Sequence, residues 1–480
     1  MNKVTMGILR CFFVISVLAG ATLLTQTAGG QLVTDPGVRG GAPSAGGFLS
    51  GLSTDELNFA TAALGNLGTR ASGFNGSYSV TGTGTLEPLP GLGPRFSSNG
   101  CWSCHNYPAV GGASPPLNLE VGIATEMGGR NTVPSAVYFV DGLPLIRSNG
   151  PTRIAWQPSV NGLLKLYTIT GRSDAVGCTL SQPDFATLLA KHDIAPTIPI
   201  PLYGIGLVED TPQTNMISAE DAAYMTGLGI TPLRFNYDRD GGATRLGWKS
   251  DASSVEAFAA RAFWVDVGVT TQIYPRKNDE TSGCVFNATP EDHPLLARRS
   301  PNTSSISADY ASQQVLASQF ARYLAPPTPA CVGENGGTST CYTGAQGAVT
   351  TGSVYNGEQM FNRAGCNACH IKTHTTGLSP MTGQSNVSYD SLSDYGLHNM
   401  GSALANGIHL GAAGSADYKT AALWGLGQRL WLIHDGRTSD LYQAIQAHYS
   451  TGSEANTVIL NFLGMSASNQ QDVLNFLRAQ

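Results

Sequence analysis

Two copies of one five-residue pattern, Cys101-Trp102-Ser103-Cys104-His105 and Cys366-Asn367-Ala368-Cys369-His370, constrain this chain more than anything else in its 480 residues. Two thiols three positions apart on a short helical turn, with an imidazole beside the second, form the attachment motif of a c-type haem. Each thiol can add to one vinyl group, and the histidine then swings under the ring to bind iron on its proximal side. A zinc site would gather four ligands in one place, and a thioredoxin-like pair would sit in a β-α-β pattern. Neither context surrounds the motifs. The sequence therefore predicts two covalently bound c-type haems, on Cys101/Cys104 and Cys366/Cys369, with His105 and His370 as proximal iron ligands.

The chain begins with Lys3 and Arg10, an apolar run from Cys11 to Leu24, and then small and polar residues. Over residues 1–28 this is the layout of a secretory signal peptide, with cleavage after Ala28 or Ala21; the competing reading is an uncleaved membrane anchor. The run, about 14 residues, is short for a span, and no other long apolar stretch follows. A mature protein with no membrane span after signal removal is expected, in a bacterial periplasm or secreted. Export also permits disulfides. Cys178, Cys284, Cys331 and Cys341 remain, and an even remainder suggests two bridges, with three connectivities open. Cys331 and Cys341 share one Gly/Thr-rich loop and are the easiest pair, which leaves Cys178 with Cys284. A redox-active thiol pair is the functional alternative.

Charged residues make up only 12% of the chain, and its formal charge of −6 becomes −8 when Lys3 and Arg10 leave with the signal. This excludes a basic nucleic-acid binder, a polyelectrolyte-like disordered chain and a long charge-rich coiled coil. With 58 glycines, the composition reads as globular and loop-rich, its loops wrapped around two large apolar cofactors. The negative charge is a modest clue to a basic or weakly docking redox partner.

Residues 29–50 are Gly/Ala/Pro-rich and read as a flexible N-terminal segment. Leu52 to Gly68 reads as a helix opened by Ser53 or Thr54, and Ser72 to Thr85 as a hairpin or loop. Residues 106–250 are rich in Gly and Pro, with short strand-like pieces such as Ala136–Val140 and Leu163–Thr168. Ser250 or Asp251 caps a helix carrying Val255, Phe258, Ala259, Ala262 and Phe263; Ser307 caps another carrying Leu316, Phe320 and Tyr323, stopped by Pro326 and Pro327. The second motif follows a short helix ending at Gly365, and the chain closes on a helix capped by Ser468 with Val473, Leu474, Phe476 and Leu477 on one face. The stretch 200–207, Ile-Pro-Leu-Tyr-Gly-Ile-Gly-Leu, is echoed by 421–427, Ala-Ala-Leu-Trp-Gly-Leu-Gly. One copy follows each motif, as two related haem units would have it. The expected fold is mainly α with long loops: a first cytochrome c-like haem domain over 51–325 with a long loop- and short-strand-rich insertion, a Pro/Gly/Thr-rich linker over 326–352, and a second cytochrome c-like haem domain over 353–480.

Several strings together resemble a known family: GLGPRF at 91–96, LYGIGLVED at 202–210, LGWKSDASSVE at 246–256, LHNMG at 397–401 and LWGLGQRLWLIHDGRTSDL at 423–441. They look like the exported bacterial di-haem oxidoreductases, described as peroxidase-like or thiol-oxidoreductase-like and related to the di-haem cytochrome c peroxidases and to the di-haem enzyme that matures methylamine dehydrogenase. The resemblance runs from about residue 50 to the end and is densest in the second half. It implies a periplasmic protein in which electrons pass between the two haems.

Sixth iron ligands separate an electron-transfer haem from one with a vacant or displaceable position. Ser439 reads as the cap of a helix with Leu441, Ala444, Ile445 and His448 on one face, so His448 points the way the apolar face points. It is either a hydrogen-bonded core histidine or a ligand. In the relatives the distal ligand lies seven residues after the matching leucine, and counting seven from Leu441 gives His448. Met400 in LHNMG is the alternative to His448, otherwise a core methionine. His434, in the HDG turn, is expected to contact a ligand residue or a propionate.

No histidine lies between His105 and His192, so the displaceable distal histidine that relatives carry is missing and the first haem is expected to be the five-coordinate, reactive one. His192, Met127, Met216 and Met225 have no pattern behind them. The glutamate that relatives place after a DG turn is also absent, and Glu209 is the substitute as catalytic acid/base, against a capping or salt-bridging role. Trp102 and Trp248 are candidate electron relays, or packing residues. Asn236, Asp238, Asp240 and Gly241 have the outline of a calcium loop, but Gly247 stands where a bidentate acid is needed; they read as a turn, and the resemblance leaves open a calcium ion between the domains.

The expectation is an exported di-haem c-type cytochrome oxidoreductase, one haem activating a small-molecule oxidant (peroxide or dioxygen) and the other exchanging electrons with a small redox electron-transfer protein. The alternatives are a non-catalytic two-haem electron carrier and an oxygenase acting on an organic substrate.

Overall fold

The computed structural model describes residues 32–67, 76–77, 88–89, 92–120, 122–123, 149–157, 162–164, 167–168, 175–181, 183–285, 289–292, 311–331 and 336–480. Ten α-helices lie among them: α1 (Thr54–Asn66), α2 (Phe185–Ala190), α3 (Ile205–Glu209), α4 (Ala219–Gly227), α5 (Val255–Asp266), α6 (Gln313–Tyr323), α7 (Thr351–Ala364), α8 (Leu441–Gln446), α9 (Asn456–Leu463) and α10 (Ala467–Ala479). Helix accounts for 31% of the described residues. The strands are two to five residues long and form antiparallel pairs, with one three-stranded sheet of Ile154–Gln157, Gly162–Leu164 and Ala195–Thr197. Val33 to Gln480 forms one unit.

Helices α7 and α10 build the core around the second motif. Thr350 caps α7 by accepting from the Ser353 amide, and the helix ends where Gly365 turns left-handed at φ 96°, a conformation that glycine adopts without strain. Gly357 lies so close to α10 that a methyl there would collide with the Asp472 carbonyl. That close crossing seals Phe361, Phe462, Leu474, Phe476 and Leu477 into one apolar cluster. A second cluster, from α1, α5 and α6, gathers Ala63, Leu92, Phe263, Leu316 and Phe320 beside Trp102.

The echo in the sequence is also an echo in structure. Gly204 (φ 66°) opens α3 and Gly425 (φ 70°) opens a short helical turn over Leu426–Gln428. Two residues on, Gly206 packs against the Arg322 carbonyl and Gly427 against that of Arg478, and a methyl at either would collide. Arg322 and Arg478 are each next to the last residue of α6 and α10. One device therefore joins a glycine turn to a closing helix in both halves.

Several helix starts differ from the sequence expectation. The caps are Ser254 rather than Ser250 or Asp251, Ser312 rather than Ser307, Asp440 rather than Ser439, and Ser466 rather than Ser468. A cap needs extended backbone and an oxygen aimed at the third amide. Ser250 is instead left-handed at φ 55°, and Asp251 pairs with Arg261. The segment Val33–Leu49 is tied down more firmly than its composition foretells: Arg39 N–H donates to the Gly427 carbonyl at 2.8 Å, and Asp35 pairs with Arg478 at 2.6 Å. The stretch read as a linker carries a hairpin, Thr340–Gly344 with Gly347–Thr350.

Cys178 is bridged to Cys284 and Cys331 to Cys341, with Cα separations of 4.6 and 5.5 Å, inside the usual range for a disulfide. Asp238 closes a tight turn by accepting from the amides of Asp240 and Gly242 at 3.0 and 2.7 Å; among the described residues no group of three acidic, His or Cys side chains forms a metal cluster. Residues 1–28, Ala136–Val140, Met127 and Ser307, together with most of 72–85, lie outside the described residues. No described helix is long and apolar enough to cross a membrane.

Candidate functional site

Each Cys-x-x-Cys-His motif folds as one 3-10 turn, in which the histidine amide donates back to the carbonyl of the first cysteine at 3.0 Å, His105 to Cys101 and His370 to Cys366. The turn brings both thiols and the imidazole to one side. All four motif cysteines are free thiols, while the other four described cysteines are bridged. Burial pushes the Cys104 thiol well up and that of Cys366 to about 12. These are protonated, apolar thiols, unlike the exposed thiolates of redox-active pairs.

The second motif opens on a cavity of about 260 Å³ lined by Cys366, Cys369 and His370. The His370 side chain is half-buried, and its Nδ1 lies 2.8 Å from the Leu392 carbonyl. Burial pulls its pKa down to about 4. The ring is therefore neutral, donates from Nδ1 and keeps the Nε2 lone pair for a metal. His448 lines the same cavity and repeats the device, with Nδ1 2.8 Å from the Ala444 carbonyl and burial lowering its pKa. It stands in the turn after α8 rather than within the helix, because α8 ends at Gln446. Met400 lines the cavity too.

The first motif opens on a smaller cavity, about 120 Å³, lined by His105 with Ile154, Ile198, Phe258, Val265 and others. His105 Nδ1 lies 3.2 Å from the Gly112 carbonyl, and burial pulls its pKa down to about 4. Among the described lining residues there is no second histidine and no methionine. His192 is on the surface, Met216 packs with Leu207 and Val208, and Met225 packs beside the second motif. The charged groups among the described residues lining this cavity are Lys249, Asp251, Arg261 and Asp266.

The two cavities abut. Ile198, Pro199, Ile200, Gly247, Trp248, Phe258 and Tyr418 line both. The Trp248 indole donates to the Ile198 carbonyl at 2.8 Å, so the ring is fixed in the wall. Tyr418 stacks on His434 at 4.2 Å, with its hydroxyl 3.1 Å from Nε2; burial pulls His434 down to about 4. Trp102 lines neither cavity and packs on Phe320 at 4.8 Å.

Glu209 lines neither cavity. Arg322 grips both of its oxygens, at 2.6 and 3.0 Å, and the Val255 amide at the start of α5 donates to it at 2.8 Å. A carboxylate so engaged is a strut between α3, α5 and α6, the salt-bridging role weighed against that of acid/base. Sequence reasoning passed over His398, two residues before Met400. It is buried against the Cys369 thiol, with Asp394 at 2.9 Å and Glu454 at 3.1 Å. Burial opposes its charge, but Asp394, Cys369 and their hydrogen bonds outweigh that and raise its pKa well above the ordinary value. Asp251 and Asp266 were also passed over; the signal for the first was its place in LGWKSDASSVE.

Two neutral imidazoles, His370 on a largely apolar cavity with both thiols of its motif and His105 on a smaller cavity next to its own, fit a pair of haems. Matched against family profiles, residues 164–480 fit the one described as "Di-haem oxidoreductase, putative peroxidase". The match takes in the second motif and begins after the first. No curated protein and no solved structure matches the chain. On this match over about two thirds of its length, the chain belongs to the di-haem oxidoreductase family.

Proposed function

We propose that this oxidoreductase is exported and carries its two haems covalently, on Cys101/Cys104 and Cys366/Cys369, and that the first site meets a small oxidant, peroxide or dioxygen, while the second relays electrons. The observation that carries this reading is the asymmetry of two abutting cavities: His370 faces a second imidazole, His448, across the larger one, whereas His105 is alone in the smaller. A haem iron supplies one-electron chemistry, and with an open position it binds small oxidants. His105 and His370 hold neutral rings in one orientation through their Nδ1–H donors to the Gly112 and Leu392 carbonyls. Of the two sixth-ligand candidates, His448 is favoured by its matching tie to Ala444, with Met400 the alternative.

Asp251 and Asp266 are the carboxyl groups that face the smaller cavity and can deliver a proton there. Arg261 pairs with Asp251, while Asp266, which accepts from the Ser97 hydroxyl, is the carboxyl assigned as proton donor. Trp248, in the common wall, is the side chain through which an electron would pass. Two disulfides suit an oxidising compartment such as the periplasm, and an acidic surface suits a small basic redox protein as electron partner. Calcium has no support among the described residues. Stopped-flow mixing with peroxide tests the reading. A rapid change in one of two haem spectra is expected; no change in either would leave a two-haem electron carrier.

A further inference from the structure

Three cations line the larger cavity with no anion to meet them. Arg429 is 9% exposed, its Nε has no hydrogen-bond partner, and Nη2 reaches only the carbonyls of Ala422 and Trp424, at 3.4 and 3.3 Å. Arg245 likewise has a buried Nε without a partner, while Nη1 donates to the carbonyls of Val208 and Thr211. Lys419 is 8% exposed, gives one bond to the Thr420 carbonyl at 3.1 Å and stands 5.4 Å over the Tyr395 ring.

No acid is available to them. Glu209, near Arg245, has both oxygens taken by Arg322. Asp394 and Asp251, near Lys419, are taken by His398 and Arg261. Glu454, the one carboxylate among the described lining residues, is shared by His398 and Arg234. Burial pulls the Lys419 amine down to about 8, and burial together with Arg478 pulls Arg429 to about 10. Buried charge without a partner is among the costliest things a fold can hold, and an apolar cavity with three such groups on its wall is shaped for an anion. Guanidinium forks match carboxylates in particular.

We propose that Arg245, Lys419 and Arg429 form the anion-binding edge of this cavity and hold the two propionate carboxylates of the haem on Cys366 and Cys369. The inference rests on the reading of those cysteines as a haem site. Two carboxylates against three cations leave a positive edge, which disfavours the more positive ferric state and raises the reduction potential of that haem alone.

The test uses the full exported protein, with haem content read from its pyridine haemochrome spectrum and potentials from spectroelectrochemical titration. In R245Q and R429Q both haems are expected to stay attached, with one of the two potentials lower than in the wild type, lower again in the double variant, and the other unmoved; R245K and R429K should stay near the wild type. Both potentials unmoved in a fully loaded double variant would overturn the proposal. Should the glutamine variants not accumulate, resonance Raman of the wild type decides: propionate bending bands should shift in D2O, as expected of carboxylates bonded to guanidinium, and an absence of shift overturns it. A wild type without haem on Cys366 and Cys369 would overturn the haem reading itself, whereas a loaded protein with unmoved potentials overturns only this inference.

Discussion

Trp248 donates its indole N–H to the carbonyl of Ile198 at 2.8 Å, and the two residues together line both cavities. The bond holds an aromatic ring edge-on to His434, at 6.4 Å and 70°, in the wall that the two sites share. Replacing Trp248 by Phe keeps most of the ring and loses the bond, at a cost of about 1 kcal/mol. Electron exchange between the haems should slow, read by pulse reduction of one haem and the lag of the other. Unaltered exchange would make Trp248 a packing residue.

His448 should govern the spin state of one haem only. H448A is expected to convert a low-spin haem to high spin, and added imidazole should reverse it by refilling the position. M400A should leave both spectra near the wild type. The opposite pattern would transfer the ligand role to Met400, which faces the same cavity.

The Asp35–Arg478 pair makes stability depend on acid. Burial raises the pKa of Asp35, but the hydrogen bond and charge of Arg478 and the amides of Leu441 and Gly37 outweigh it, leaving the pKa below the ordinary 3.8. A depressed carboxyl stabilises the fold above its unfolded pKa and loses that contribution as pH falls through the folded value. Unfolding followed by urea should therefore show a fall in stability below about pH 4 that is smaller in D35N. At neutral pH D35N should be less stable by about 3 kcal/mol, since Arg478, 1% exposed on its side chain, is left buried without a carboxylate.

Glu209 and Asp266 should separate cleanly. E209Q removes a charge that joins α3, α5 and α6 and should lower stability by about 2 kcal/mol, while folded protein keeps its peroxide turnover. D266N changes a carboxyl facing the smaller cavity and should lower turnover with both haems attached. Loss of turnover in E209Q at full haem content and unaltered stability would restore Glu209 as the acid/base.

The haem motifs are legible in the sequence because their chemistry is local: five residues carry two thiols and a ligand. The glycine echo is legible for a similar reason, since Gly204 and Gly425 answer to backbone conformation and Gly206 and Gly427 to a close carbonyl. Cap positions slip because the chain offers Ser250, Ser253 and Ser254 in succession, and only tertiary packing selects the one with extended backbone. His448 is found by counting, but not the early end of α8 that leaves it in a turn. The cluster of Asp394, His398 and Glu454, and the three cations Arg245, Lys419 and Arg429, are not legible at all. Glu454 lies 56 residues from His398, Arg245 lies far in sequence from Lys419 and Arg429, and a charged residue taken singly reads as surface.

Electron paramagnetic resonance of the ferric, fully loaded protein tests the central claim most directly. Two cavities with unequal ligand sets predict one low-spin signal, from the haem between His370 and His448, and one high-spin signal, from the haem held by His105 alone. H105A should remove only the high-spin species. Two low-spin ferric signals, with the haem that stays ferric still low-spin when the other is reduced, would contradict the account and leave a protein built to carry electrons rather than to activate an oxidant.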